Sequence, residues 1–351
     1  MKGSDFLGNG RKTVYNRICS ETKLKLINPD NIDLMEDFLQ YLNSVGKSAG
    51  TIEQYKSNLK VFFVWNLDFN GNKFFIDLKK REIAKFQNYG MTVWGWSNKR
   101  MRTVKATLSS FSNYISNVLD DEYEDFRPIV QKIESPSNTP VREKTVFTAE
   151  DLQNLLDELV RRKEYMMACG LSLAINSGKR KAEIPRFKVS YFDDKNLFCG
   201  GSLYATPEQI LTKGNKMLDV YILARPFKPY LDLWLEQREK LGIKSKWLFP
   251  RYSPNGKWYN NEQVTISALN SWAKKFKEIS GKDFYWHSIR HYYTTYLLEQ
   301  NLPESLVQLM QGWASSDMVK VYDDRSGATQ IEKFFGAEGI KQVKKASLED
   351  L

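Results

Sequence analysis

His287 and Arg290 lie three residues apart in HSIRHYYTTYLLEQ, ahead of QGW at 311–313 and of Tyr322 in VKVYDD, and these residue types suit attack by a phenol on a phosphate diester. On a helix the i, i+3 spacing presents His287 and Arg290 on one face. Tyr322 falls in a short polar segment able to deliver its hydroxyl to an anion bound there. Transesterification of a phosphodiester without metal needs cations on the non-bridging oxygens, a nucleophile and an acid for the leaving oxygen. Arginine suits the first task, because its planar fork makes paired charge-assisted hydrogen bonds and keeps its charge. Arg290 is one candidate, and Arg180 in NSGKRKAEI is another. Glu183, three residues on, is a carboxylate able to orient a cation, although an R-x-x-E pair by itself reads more readily as an exposed salt bridge.

Lys213 stands in LTKGNKMLDVYI, where Gly214 and Asn215 predict a tight turn between two strands. A lysine at such a tip reaches into a groove and protonates a leaving oxygen if neighbouring cations lower its pKa. Surface solvation is the plain reading of any lysine, and Lys216 competes for the same role. Tyr322 is one of 18 tyrosines. A free phenol titrates near pH ~10, so a tyrosine nucleophile needs a base or strong positive charge beside it. Tyr292, Tyr293 and Tyr296 read as packing or DNA-facing residues of a regular helix, whereas Tyr322 is freer to be positioned.

The elements that must position these residues follow from periodicity. Leu34, Met35, Phe38, Leu39, Leu42 and Val45 form a helical apolar stripe that Gly46 ends, and further helices are expected at about 51–66, 78–89 and 97–118. Lys56 and Lys60 lie one turn apart on the second of these. Lys99, Arg100, Arg102 and Lys105 crowd the start of the last, where the helix dipole disfavours cations and an external anion would relieve the conflict. They are candidate phosphate contacts, with a solvated charged face as the competing reading. The stretch 127–147, with Pro128, Pro136 and Pro140, reads as a linker. Thr148 and Asp151 predict a capping box that opens a second helical region. FKVSYF at 187–192 and MLDVYIL at 217–223 carry β signals, and the remainder to about 335 reads as helical. Residues 1–30 read as a tail with little structure.

Bulk numbers set the bounds. With 351 residues, 42% hydrophobic and 13% aromatic, the chain has material for two folded domains. A formal charge of +10 favours a polyanionic partner, although a lysine-rich surface explains charge alone equally well. Cys19, Cys169 and Cys199 are too dispersed for a disulfide framework or zinc site. The only histidines, His287 and His291, are four apart but lack the glutamate of H-E-x-x-H and a third ligand, so no metal or other cofactor is expected. No apolar run reaches the roughly 20 residues that span a bilayer. MKGSDFLGNGRK has no signal-peptide core, so a cytoplasmic protein is expected.

NSGKRKAEI, LTKGNK, HSIRH, QGW and Tyr322 match, in order, the arginine box, hairpin lysine, H-x-x-R box, His/Trp position and nucleophile of the tyrosine recombinases, and the resemblance covers about 148–335. More loosely, 31–120 is similar to that family's helical core-binding domain. The resemblance implies a mainly α fold with a small antiparallel β-sheet in the catalytic domain. It also implies a two-domain clamp on duplex DNA, with a SAM-like core-binding domain at 31–126 and a catalytic domain at 148–330. It implies that Arg180 and Arg290 bind the scissile phosphate and that Tyr322 attacks to give a 3′-phosphotyrosyl link. Lys213 would protonate the leaving 5′-oxygen, His287 would assist proton transfer and Glu183 would support the arginines. Most relatives carry histidine where this chain has Trp313, and an indole N–H donates a hydrogen bond but cannot shuttle a proton. The apolar residues of 331–351 are expected to form a small helix that docks on a neighbouring protomer. The expected partner is a double-stranded recombination site, bound by a dimer and synapsed as a homotetramer, with accessory DNA-bending proteins. Type IB topoisomerase activity and a non-catalytic DNA-binding regulator are the competing functions.

Overall fold

Apolar residues recurring every three to four positions build the amino-terminal unit, whose helices are α1 (Glu21–Leu26), α2 (Pro29–Ser44), α3 (Ala49–Phe69), α4 (Lys80–Thr92) and α5 (Asn98–Val118). The computed structural model describes residues 15–137, 145–212, 216–253, 255–327, 331, 335–336 and 339–340. The chain divides into two units at Glu143 and Lys144, inside the proline-bearing stretch 127–147. In the first unit Phe38, Phe62, Phe63, Phe75, Phe86 and Phe111 are all at most 1% exposed. Several of their rings meet edge to face, as Phe62 and Phe86 do at 4.9 Å. Asn58 and Thr107 tie α3 to α5 through a buried hydrogen bond of 2.8 Å.

The sequence reading of 1–30 as a tail is corrected for its second half. Ser20 caps α1, and Ile18, Cys19 and Ile27 join the aromatic core. Similarly, Val130 of the expected linker is buried in the same core.

The second unit comprises α6 (Ala149–Arg161), α7 (Tyr165–Ser177), α8 (Ala224–Lys240), α9 (Ile266–Ser280), α10 (Trp286–Glu299), α11 (Glu304–Gln311) and α12 (Asp317–Tyr322). The predicted Thr148–Asp151 capping box is present at the start of α6. Strands β1 (Leu197–Phe198), β2 (Leu203–Ala205) and β5 (Tyr221–Leu223) form an antiparallel sheet in the order β1-β2-β5. Between β2 and β5, β3 (Ile210–Leu211) pairs with β4 (Met217–Leu218) as the expected hairpin.

Three readings differ from the structure. FKVSYF forms short 3₁₀ turns rather than a strand, because Phe187, Tyr191 and Phe192 all point into the core and the alternation of a half-buried strand is absent. A second hairpin, β6 (Pro250–Tyr252) with β7 (Trp258–Gln263), stands where helix was expected. Within 331–351 the described residues 335–336 and 339–340 pair as β8 (Phe335–Gly336) and β9 (Gly339–Ile340) rather than forming helix, which Gly336 and Gly339 disfavour. Phe334 and Val343 of the expected helix lie outside the described residues. No described helix is long and apolar enough to cross a membrane.

Candidate active site

Helix α7 ends at Ser177, and Gly178 continues the chain in the left-handed region at φ 61°. A Cβ at Gly178 would collide with the Gln311 side-chain amide and the Tyr293 ring, so the turn that carries Arg180 closes this tightly only with glycine. Arg180 is then held by Glu183, whose carboxylate accepts from the Arg180 backbone N–H at 2.9 Å and from its Nη1 at 3.2 Å. Glu183 is only 3% exposed on its side chain against 26% for Arg180, so this pair is not the exposed surface salt bridge that spacing alone suggested.

Helix α10 presents His287 and Arg290 on one side, as the i, i+3 spacing predicts. Arg290 is fully buried, and its guanidinium ties together the carboxyl ends of two helices. Nη1 donates to the Gly178 carbonyl at 2.7 Å and Nη2 to that of Gln311 at 2.9 Å. Burial, and secondly the Arg180 charge, push Arg290 down to about 10, which leaves it charged at neutral pH. Its Nε–H has no partner among the described residues.

The segment after α11 turns at Gly312, φ 66°, where a Cβ would strike Leu218 of the β3–β4 hairpin. Trp313 follows, and α12 delivers Tyr322. These two, with Tyr293, Leu297, Leu298, Val307, Met310 and Val319, make a small apolar cluster of their own. The Tyr322 hydroxyl is 2.8 Å from His287 Nε2, so in the tautomer with Nε2 unprotonated the phenol donates to the histidine. The Tyr322 ring lies 4.8 Å from that of Trp313 and 5.6 Å from the Arg290 guanidinium. Trp313 itself lies 4.9 Å from that guanidinium, while its indole N–H has no described partner. Trp313 is thus packed against both the Tyr322 ring and the Arg290 guanidinium.

Arg180, Glu183, His287, Arg290, Trp313 and Tyr322 therefore converge. Lys213 lies outside the described residues, whereas Lys216 is exposed and its carbonyl accepts from Thr212 across the hairpin at 2.7 Å.

Two contributors were not anticipated. His291 stacks on the Tyr322 ring at 4.4 Å, with Nδ1 3.5 Å from Asp324 Oδ2, so the Tyr322 ring is gripped from a second side. The i, i+4 spacing of the two histidines was the available signal. Lys179, inside the basic run SGKRK, is 2% exposed and donates to the Met310 carbonyl at 2.8 Å. Among the described residues, no His/Cys/Asp/Glu group is arranged to hold a metal ion.

In the amino-terminal unit the predicted phosphate contacts separate. Lys99 and Arg102 are exposed beside a groove of about 590 Å³ that Tyr55 and Gln131 also line. Lys56 and Lys60 are half-buried on α3. Arg100 donates to Asn58 at 2.7 Å and stacks on Trp96, and Arg102 donates to the Pro136 carbonyl at 2.8 Å. Lys105 is a correction to the expected set: it is 5% exposed and its ammonium is bonded to the Ile133 carbonyl. It sits on the inward face of α5 beside Val104 and Leu108, so it holds 133–136 against the helix.

A mainly helical two-unit chain with an arginine–histidine–tyrosine constellation of this form is of the tyrosine recombinase class. The Phage integrase family model matches residues 145–328, and the Phage integrase, N-terminal SAM-like domain matches 34–125. The SPbeta prophage-derived recombinase-like protein YomM of Bacillus subtilis is 27% identical over 333 residues, covering 90% of this chain and 94% of that protein. A lambda integrase tetramer bound to a Holliday junction superposes with a TM-score of 0.61 at 17% identity, over 83% of this chain and 76% of that one. The XerH recombinase in a post-cleavage complex with its palindromic difH substrate gives 0.60 at 18% identity, over 81% and 78%. The chain belongs to the phage integrase family. It is a tyrosine recombinase, an enzyme that acts on DNA.

Proposed function

We propose that this chain cleaves and rejoins duplex DNA at a specific site with Tyr322 as nucleophile. The observation that carries the reading is the Tyr322 hydroxyl hydrogen-bonded to His287 at 2.8 Å beside the buried, charged Arg290. The tyrosine oxygen bonds to phosphorus as the bond from phosphorus to the 5′-oxygen breaks. The phenolic proton passes to His287, and a proton from Lys213 completes the 5′-hydroxyl. Arg180, oriented by Glu183, and Arg290 stabilise the charge on the pentacoordinate phosphorus. Trp313 supports the tyrosine and turns its N–H to a phosphate oxygen. Attack by a partner strand's 5′-hydroxyl reverses the step, and the phosphotyrosyl bond conserves the energy.

The amino-terminal unit, with Lys56, Lys60, Lys99, Arg100 and Arg102 as its phosphate contacts, grips the same duplex. Dimers on each site and a homotetramer at the junction follow the assembly seen for lambda integrase. The cytoplasm of a prokaryote or of a virus's host is the setting this function implies.

The test is covalent trapping of the wild type on genomic DNA, followed by sequencing of the adducts. Recovery of one preferred sequence is expected, with no adduct from Tyr322→Phe. Relaxation of supercoiled plasmid lacking that sequence would point instead to a topoisomerase.

A further inference from the structure

Lys179 is a buried cation that the reaction as described does not use. Its Nζ donates to Met310, at the carboxyl end of α11, and its backbone joins Gly178, which accepts from Arg290, to Arg180. The charged groups facing it are Arg180 and Glu183 from its own turn and Arg290 from α10, while α11 offers only backbone carbonyls and the uncharged Gln311. Two arginines and an ionisable lysine thus stand against one carboxylate in a water-poor place. The Arg290 Nε–H and Trp313 indole N–H beside them have no partner among the described residues. A site with surplus positive charge and surplus donors is made for an anion.

Resting on the DNA-cleavage reading, we propose that Lys179 is a positioning residue that takes up a proton as the scissile phosphate enters. As an ammonium it strengthens the existing bond to the Met310 carbonyl, which ties the Arg180 turn to the end of α11 and so fixes Arg180 relative to Trp313 and Tyr322. Burial first, then the Arg290 charge, hold Lys179 down to about 7. The sign follows from linkage. Above pH 7 the unliganded protein holds Lys179 largely neutral, and the negative charge of a phosphodiester held by Arg180 and Arg290 favours the ammonium, so binding consumes a proton. Below pH 6 Lys179 is charged already and binding consumes none.

Titration calorimetry of the Tyr322→Phe protein, in which no covalent bond forms, tests this with a duplex carrying the sequence recovered from the adducts. Repeating it in buffers of different ionisation heat counts the protons. At pH 8 uptake should exceed that of the additional Lys179→Met variant by close to one proton per protomer, and at pH 6 the two should agree. Lys179→Arg, charged throughout, should bind without this extra proton and hold its affinity between pH 6 and 8, where Lys179→Met is weaker at every pH. Equal uptake by all three would overturn the inference, as would a Lys179→Arg protein, folded by its melting curve, that takes up the proton. Absence of any adduct from the wild type fails the cleavage reading instead, so the two failures are separable.

Discussion

Both units use cations to tie backbone carbonyls, but they finish the task differently. In the amino-terminal unit Lys105 caps Ile133, Arg102 caps Pro136, and the aromatic core around Phe62 closes with few polar atoms unpartnered. In the catalytic unit Arg290 caps Gly178 and Gln311 and still keeps an N–H without a described partner, next to Trp313, Tyr293 and Gln311 with unpartnered polar atoms of their own. Buried polar groups left unmade are costly, at about 1–3 kcal/mol each, so their concentration around one guanidinium marks where a ligand is to complete the bonding. Cation count alone does not mark such a place. The basic cluster at the start of α5 is partly structural, while Arg290 is fully buried.

The sharpest way to break this contrast is to remove the buried guanidinium. Arg290→Ala should lower the rate of adduct formation by about 10²–10³ or more and lower the melting temperature as well, since the Gly178 and Gln311 carbonyls lose their donors. A variant with near-normal cleavage kinetics would show that Arg290 is a strut and nothing else. Next in size is Glu183→Gln, which halves the carboxylate's grip on Arg180. Losing one charge-assisted bond of about 1.5 kcal/mol predicts roughly ten-fold slower cleavage with DNA affinity retained.

The smallest effects test the other half of the contrast. Lys99→Ala or Arg102→Ala should reduce the salt dependence of DNA binding by about one unit of logarithmic slope. Lys105→Met should leave that slope unchanged and destabilise the amino-terminal unit by about 1–3 kcal/mol, measured by denaturant unfolding. If Lys105→Met alters the salt slope as Lys99→Ala does, the division between structural and DNA-facing cations is wrong.

The helices of the first unit were readable from their apolar residues: 51–66 and 97–118 were expected, and α3 and α5 run Ala49–Phe69 and Asn98–Val118, with α5 burying one face and α3 buried all round from Val61 to Asn66. The β6–β7 hairpin was not, because WYNNEQ is mostly polar and half-exposed and lacks the alternation that betrays a strand. At the site, the boxes were visible since arginine, histidine and tyrosine at those spacings have a shared chemistry. Lys179 was hidden in SGKRK, a run that looks like surface charge. Only the fold shows that Gly178 turns the chain inward there, burying one lysine of the three-cation string and leaving Arg180 part-exposed. Lys105 was misread for the converse reason: it follows Lys99, Arg100 and Arg102 in sequence, but its own position faces inward on α5 beside Val104 and Leu108.

The central claim is that Tyr322, alone among 18 tyrosines, becomes linked to DNA. Digesting the trapped adduct with protease and nuclease and sequencing the modified peptide by mass spectrometry tests it directly. The account predicts a nucleotide on the hydroxyl of Tyr322, within VKVYDD. A nucleotide on Tyr292, Tyr293, Tyr296 or any other side chain would contradict it.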